Sequence, residues 1–176
     1  MSKTNNIFLV GPMGAGKTTV GRRLAELCRM RFIDSDHEIE DRCGVEIAFI
    51  FEKEGEAGFR RREQQAIDGL TAESGLVLAT GGGAVLDAEN RLHLGSRGYV
   101  VYLQASVEQQ LARTERTESR PLLRGVDRRA TLEQLLQARD PLYREIADLV
   151  IPTDGRNART LAREIQERFI RSAAAA

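Results

Sequence analysis

The sequence predicts an α/β protein in which a mainly parallel sheet is covered by helices on both sides, and three observations carry that expectation. Short apolar runs alternate with stretches of helical apolar spacing along the chain, as successive strand and helix units around a parallel sheet require. A glycine-rich loop, Gly11-Pro12-Met13-Gly14-Ala15-Gly16-Lys17-Thr18, stands where the first strand hands over to the first helix. The length of 176 residues, 41% hydrophobic and 30% charged, suits one domain with a full core, and no internal repeat or interdomain linker divides it.

The elements follow in order. Ile7–Val10 is a buried strand that ends in a turn at Gly11, and Val20, Leu24, Leu27 and Cys28 mark the helix behind it. Arg31, Phe32 and Ile33 form a second strand whose carboxyl end carries Asp34 and Asp36, the end at which open α/β sheets bind ligands. Ile47, Ile50 and Phe51 mark one short helix, and Phe59, Ala66, Ile67 and Leu70 mark the next, with Arg60 near its start. Leu76–Ala79 is a third strand running into Gly81, Gly82 and Gly83. Residues 99–103 make a fourth strand, followed by a helix capped by Ser106. Residues 114–129 lose apolar periodicity except at Leu122 and Leu123 and carry five arginines, at 116, 120, 124, 128 and 129; a polar loop of that length is functional or disordered. A helix is expected from about Thr131, then a fifth strand over 149–151. The last helix carries Leu161, Ile165 and Phe169 on one face, with a frayed tail over 173–176.

Composition excludes several classes. Lysines plus arginines number 26 and acids number 26, so the chain lacks the basic footprint of a nucleic-acid binder and any anionic ligand must be held by local clusters. Only Lys3, Lys17 and Lys53 are lysines, so most anion contacts fall to forked guanidinium groups and a lysine inside a glycine loop stands out. Cys28 and Cys43 are too few and too unpatterned for a disulfide framework or a zinc site, and suit a reducing compartment. Residues 1–6 lack the pattern of an export signal and no apolar run approaches a membrane span. A cytoplasmic protein without membrane or nucleic-acid partners is expected.

The loop at 11–18 satisfies the Walker A pattern in full and in the context the pattern requires. Backbone N–H groups of Gly14, Ala15 and Gly16 can turn inward on phosphate oxygens, and the helix start adds its positive end. Lys17 suits the β and γ phosphates of ATP, Thr18 offers a hydroxyl to Mg²⁺, and Thr19 adds a donor near the α phosphate. A glycine-rich turn without ligand is the plain alternative. A nucleotide-dependent switch is disfavoured, because no Asn-Lys-x-Asp segment for reading guanine occurs.

Six segments together resemble the shikimate kinases: Gly-Pro-Met-Gly-Ala-Gly-Lys at 11–17, Asp-Ser-Asp at 34–36, Gly-Phe-Arg at 58–60, Gly-Gly-Gly at 81–83, Arg-Pro-Leu-Leu at 120–123 and Arg-x-Pro-Leu-Tyr at 139–143. They cover essentially the whole domain without a departure at a motif position. The resemblance implies a P-loop fold of the nucleoside-monophosphate-kinase type, a five-stranded parallel sheet in the order 2-3-1-4-5 flanked by helices, and a mobile lid. It implies a monomer that phosphorylates shikimate with ATP, the fifth step of chorismate synthesis. By resemblance Arg60, Arg139 and the backbone at Gly82 hold the substrate carboxylate, with Gly81 and Gly83 beside them. Asp36 contacts the ring hydroxyls and could accept the proton of the attacking one, and Asp34 stands near Mg²⁺, acting through water. The segment 114–129 is the lid, Arg120 reaches the transferred phosphate, Arg113 stacks near adenine and Arg156 touches the nucleotide.

Each assignment has a structural alternative. Asp34 and Asp36 could simply cap a helix, Arg139 could complement a helix end halted near Pro141, and the lid arginines could be solvated. Arg61 and Arg62 read as solvated helix charges, His37 and His93 as surface or packing residues, and Tyr99 and Tyr102 as core or edge positions. A gluconate kinase or nucleoside monophosphate kinase would share the loop and the fold but need another acceptor pocket. From a different class, a catalytically silent nucleotide-binding module is opposed by the joint presence of Lys17, Asp36 and Arg120.

Overall fold

The structure, a computed structural model, describes residues 5–114 and 127–175. Five strands, β1 (Ile7–Val10), β2 (Arg31–Asp34), β3 (Leu76–Ala79), β4 (Tyr99–Gln104) and β5 (Leu149–Pro152), form one sheet in the order β2-β3-β1-β4-β5. Every pairing is parallel, with Ile7 opposite Val77 on one side of β1 and opposite Tyr99 on the other. The helices are α1 (Lys17–Cys28), α2 (Ser35–Cys43), α3 (Ile47–Ala72), α4 (Ala88–Arg97), α5 (Val107–Thr114), α6 (Arg128–Ile146) and α7 (Ala158–Ala174).

Alternation along the strands divides the core in two. Ile7, Leu9, Val77, Val101 and Leu103 face one side and pack with Val20 and Leu24 of α1 and Leu161 and Ile165 of α7. Phe8, Val10, Leu76, Leu78, Val100 and Tyr102 face the other and pack with Ile67 and Leu70 of α3, Leu94 of α4 and Tyr143 of α6. Strands buried on both faces read as unbroken apolar runs, which is why β1, β3 and β4 were legible.

Polar side chains fix the helix starts. Asp34, Asp87, Asp127 and Asn157 each accept from a backbone N–H two or three residues on. Ser106 caps α5 as expected, its Oγ accepting from Gln109 N at 3.2 Å. Helix α1 instead begins at Gly16 in the left-handed region without a side-chain cap, so its first N–H groups face the phosphate loop. The two short helices expected after α2 are present as halves of α3, broken at Gly55 with φ 68° and ψ −177°.

Three expectations change. Helix α6 begins at Arg128 because Asp127 caps it, and it runs through Pro141 to Ile146, so Arg139 is not at a helix end. Burial of Tyr143, whose ring lies 4.9 Å from that of Tyr102, holds the chain helical past the proline. The polar loop expected over 114–129 does not include its outer residues, since Thr114 closes α5 and Arg128 and Arg129 open α6; Arg116, Arg120, Leu122, Leu123 and Arg124 lie outside the described residues. Ala173 and Ala174, assigned to the tail, belong to the last turn of α7.

Asn6 is fully buried ahead of β1, where its amide donates to Glu73 O at 2.7 Å and its carbonyl accepts from Leu76 N at 3.1 Å. It ties the start of β1 to that of β3, and its bond to Leu76 N is buried. Asn6→Ala should lower the unfolding free energy by about 1–3 kcal/mol, the cost of leaving the buried N–H of Leu76 unpaired, as measured by urea denaturation.

Candidate active site

The phosphate loop is shaped by what its glycines allow. Gly14 and Gly16 have φ of 79° and 87°, a region that residues with side chains rarely occupy. Lys17 folds back along the loop, its Nζ donating to Gly11 O at 2.7 Å and Pro12 O at 2.9 Å, so its charge lies over the hollow the loop encloses. Thr18 Oγ1 donates to Asp34 Oδ2 at 2.8 Å, and the other oxygen of Asp34 accepts from Asp36 N at 3.0 Å. Asp34 thus joins the phosphate-loop helix to the end of β2 and turns the chain into α2, while Thr19 is exposed on α1.

A cleft of about 500 Å³ opens directly from this point. Thr18, Asp34 and Asp36 line one wall, Arg60, Glu63 and Arg139 line another, Gly81, Gly82 and Gly83 form the floor, and Ile47, Phe51 and Phe59 close the apolar side. Each floor glycine confronts charged groups. The position a Cβ would take at Gly81 lies 2.8 Å from Asp36 Oδ1 and 2.9 Å from Glu63 Oε2, at Gly83 it lies 2.5 Å from Arg60 Nη1, and at Gly82 it lies 3.5 Å from Arg139 Nη1. Side chains at Gly81 and Gly83 would displace the charges that surround the cleft, whereas at Gly82 a Cβ would make ordinary contact.

Arg60 donates to Glu63 Oε1 at 2.8 Å and to Glu56 Oε1 at 3.2 Å, with its guanidinium 5.3 Å from the Phe59 ring centre. Arg139 is 5% exposed. One turn further along α6, Tyr143 donates its hydroxyl to Gly82 O at 2.6 Å and so anchors the floor. Burial pushes the Tyr143 hydroxyl up to about 12, which keeps it a donor at neutral pH. Two cations and a carboxylate facing one small cleft can orient an anionic, hydroxyl-bearing molecule beside a phosphate-binding loop.

Thr18 and Asp34 are the residues fit to hold a divalent cation. One hydroxyl and one carboxylate suit Mg²⁺, which keeps water and takes phosphate oxygens instead of requiring a protein cage. Among the described residues no group of three or more His, Cys, Asp or Glu forms such a cage.

The remaining candidates are more dispersed. Arg113 donates to Gly14 O at 2.9 Å at the outer edge of the loop, Arg156 pairs with Glu164 beyond β5, and Arg120 lies outside the described residues. His37 is exposed at the cleft mouth, and His93 lies 3.5 Å from Asp68 far from it. Tyr102 is buried and donates to Asp140, while Tyr99 meets Phe169 with the rings tilted at 58°. Arg61 is exposed as expected, but Arg62 is not a free surface charge: it binds Glu54 and Cys43.

Glu63 was missed by sequence reasoning. It is 1% exposed, and its sole outward sign is the three-residue spacing from Arg60, which brings the two together on a helix. Burial drives its carboxyl above the usual range, Arg60 draws it back down and Asp36 raises it again.

The chain matches the shikimate kinase family model over residues 13–170. It is 56% identical to the shikimate kinase of Mannheimia succiniciproducens, covering 95% of this chain and 96% of that protein, and 54% identical to that of Shewanella denitrificans over 96% and 99%. Among solved structures, shikimate kinase from Acinetobacter baumannii in complex with shikimate superposes with a TM-score of 0.94 at 54% identity, covering 97% and 95% of the two chains. A gluconokinase from Sinorhizobium meliloti gives 0.65 at 19% identity over 97% and 94%; that likeness shows the fold alone.

Because burial holds the Glu63 carboxyl above its unfolded value of about 4.3, its neutral form favours folding at low pH, and that contribution is lost as pH rises through the native value. Glu63→Gln has no such loss. Its stability relative to the parent should therefore increase with pH above about 4.3, which parallel urea titrations between acid and neutral pH measure.

Proposed function

The chain belongs to the shikimate kinase family, and from that membership we propose how its cleft moves the γ-phosphoryl group of ATP onto the 3-hydroxyl of shikimate, giving ADP and shikimate 3-phosphate. The observation that carries the reading is continuity: Thr18 and Asp34, tied to the phosphate loop, line the same cleft as Arg60, Arg139 and the three floor glycines. Donor and acceptor can therefore meet without crossing solvent.

Arg60 and Arg139, with the backbone N–H of Gly82, hold the shikimate carboxylate, and Gly81 and Gly83 leave room for the ring beside them. Asp36 accepts the proton of the 3-hydroxyl as its oxygen bonds to the γ phosphorus and the bond from phosphorus to the ADP oxygen breaks. Lys17 exchanges its loop carbonyls for β and γ phosphate oxygens, supplying charge where it accumulates. Gly14, Ala15, Gly16 and Thr19 bind phosphates through loop and helix donors. Thr18, and Asp34 through water, would hold Mg²⁺, which when bound would supply positive charge against the β and γ phosphates. Arg120 reaches the transferred phosphate from a lid, Arg113 covers adenine and Arg156 lies on the nucleotide side; the bond from Arg113 to Gly14 O supports a position beside the loop. We read the protein as a single-domain cytoplasmic monomer without membrane or nucleic-acid partners. Among the described residues no helix is long and apolar enough to cross a membrane.

An ADP-release assay over shikimate, gluconate, AMP and CMP tests the acceptor, with turnover expected for shikimate alone; turnover confined to another acceptor overturns it. Lys17→Met should fold and lose on the order of a thousandfold in kcat, a role that activity within tenfold of the parent would exclude. Asp36→Asn should keep ATP affinity and lose turnover, since an amide cannot take up the proton. A collapse of ATP affinity in calorimetry would move Asp36 to the nucleotide side.

A further inference from the structure

Between Gly44 and Gly55 the chain forms a cap over the acceptor end of the cleft. Glu46, Ile47, Ala48 and Phe51 of this segment line the cleft, and Phe51 packs on Phe59 with ring centres 4.9 Å apart. Both bounding glycines have φ of 68°, and nothing lies within 4 Å of where their Cβ atoms would be. They are glycine because of torsion and not because of crowding, as turning points of a movable segment would be.

Arg62, on the far half of α3, grips both ends of the cap. Its Nε and Nη2 donate to the two oxygens of Glu54 at 3.0 and 2.6 Å, and its Nη1 donates to Cys43 Sγ at 3.3 Å. Cys43 precedes Gly44 and Glu54 precedes Gly55, so one planar guanidinium spans the two turning points. Glu54 reaches Arg62 only because Gly58 has no side chain: a Cβ there would collide with Cβ of Glu54 and stand 3.0 Å from its Oε2. This accounts for the glycine of the Gly-Phe-Arg segment, which contact with the acceptor leaves unexplained. Arg62 itself does not line the cleft.

We propose that Arg62 is a positioning residue that locks the cap through Glu54 and Cys43 and thereby sets the affinity for shikimate without touching it. The proposal rests on the reading of the cleft as the acceptor pocket. Three features separate it from a general structural role. The fork can be replaced by a charge only in part, because a lysine cannot serve two carboxylate oxygens and a thiol at once. A half-exposed ion pair adds little to global stability. A cap contact made equally in ground and transition states acts on KM and not on kcat.

The test uses the full chain with Arg62→Met, Arg62→Lys, Glu54→Gln and the double variant Arg62→Met/Glu54→Gln, each assayed for kcat, both KM values and thermal midpoint. Arg62→Met should raise the KM for shikimate about fivefold, the most an exposed pair supplies, with kcat and the KM for ATP within about twofold. Arg62→Lys should restore part of the loss, and the double variant should be no worse than Arg62→Met, because both remove one interaction. Should Arg62→Met fold poorly, Glu54→Gln reads the same bond and should raise the KM for shikimate alone. A KM for shikimate within twofold of the parent in both single variants overturns the proposal. Equal losses in kcat and both KM values, or additive effects in the double variant, also overturn it. A parent enzyme inactive on shikimate but active on another acceptor would instead remove the reading of the cleft, and the proposal with it.

Discussion

The site depends on one pairing, that of β1 with β3 at their carboxyl ends. Leu9 lies opposite Ala79, and both the N–H and the hydroxyl of Thr80 donate to Leu9 O at 3.1 Å. The two glycine loops therefore leave the sheet side by side, and the position a Cβ would take at Gly82 lies 3.5 Å from Met13 N. In the function proposed above, one loop receives the phosphate donor and the other forms the floor of the acceptor cleft. Sliding β3 by one residue would turn its core side chains to the other face and pull the loops apart. With β2 as the next strand, Asp34 and Asp36 reach the same edge, where a parallel sheet presents its ligands.

Around that edge the chain accepts a cost in burial to fix its charges. Arg60, Glu63 and Arg139 are mostly shielded from water, where an unpaired charge is expensive and a well-paired one is rigid. Glu63 gives Arg60 a partner on the core side and leaves the rest of the guanidinium facing the cleft. Tyr143 does for the backbone at Gly82 what Glu63 does for Arg60. The recognition groups are therefore held from behind by α3 and α6, each of which also packs on the sheet.

Much of this was legible in the sequence because its physics is local. Four-residue apolar strands, a phosphate loop between strand and helix, and Ser106 at a helix start act through neighbours in the chain, and sequence patterns record neighbours. The strand order and the gathering of Asp36, Arg60, Gly81 and Arg139 into one cleft came from resemblance to a family, since residues so far apart leave no mark of proximity in one sequence. The errors have the same source. Pro141 suggests a helix end, and the packing of Tyr143, Leu142 and Ile146 on the core keeps α6 intact beyond it. Arg60, Arg61 and Arg62 are chemically identical in sequence, yet one faces the cleft, one faces solvent and one binds Glu54. Glu63 went unread because no local pattern distinguishes a buried carboxylate.

Gly55 bears on the handedness of the chain itself. With φ 68° and ψ −177°, it has the mirror image of the extended polyproline conformation that ordinary residues adopt freely. The space around it is open, so stereochemistry alone bars a methyl group. A D-alanine placed there by chemical synthesis would rest in its own preferred region. By narrowing the unfolded ensemble it would stabilise the fold by about 0.4–1 kcal/mol. At this bend the genetic code, which offers only L residues and glycine, limits the protein more tightly than packing does.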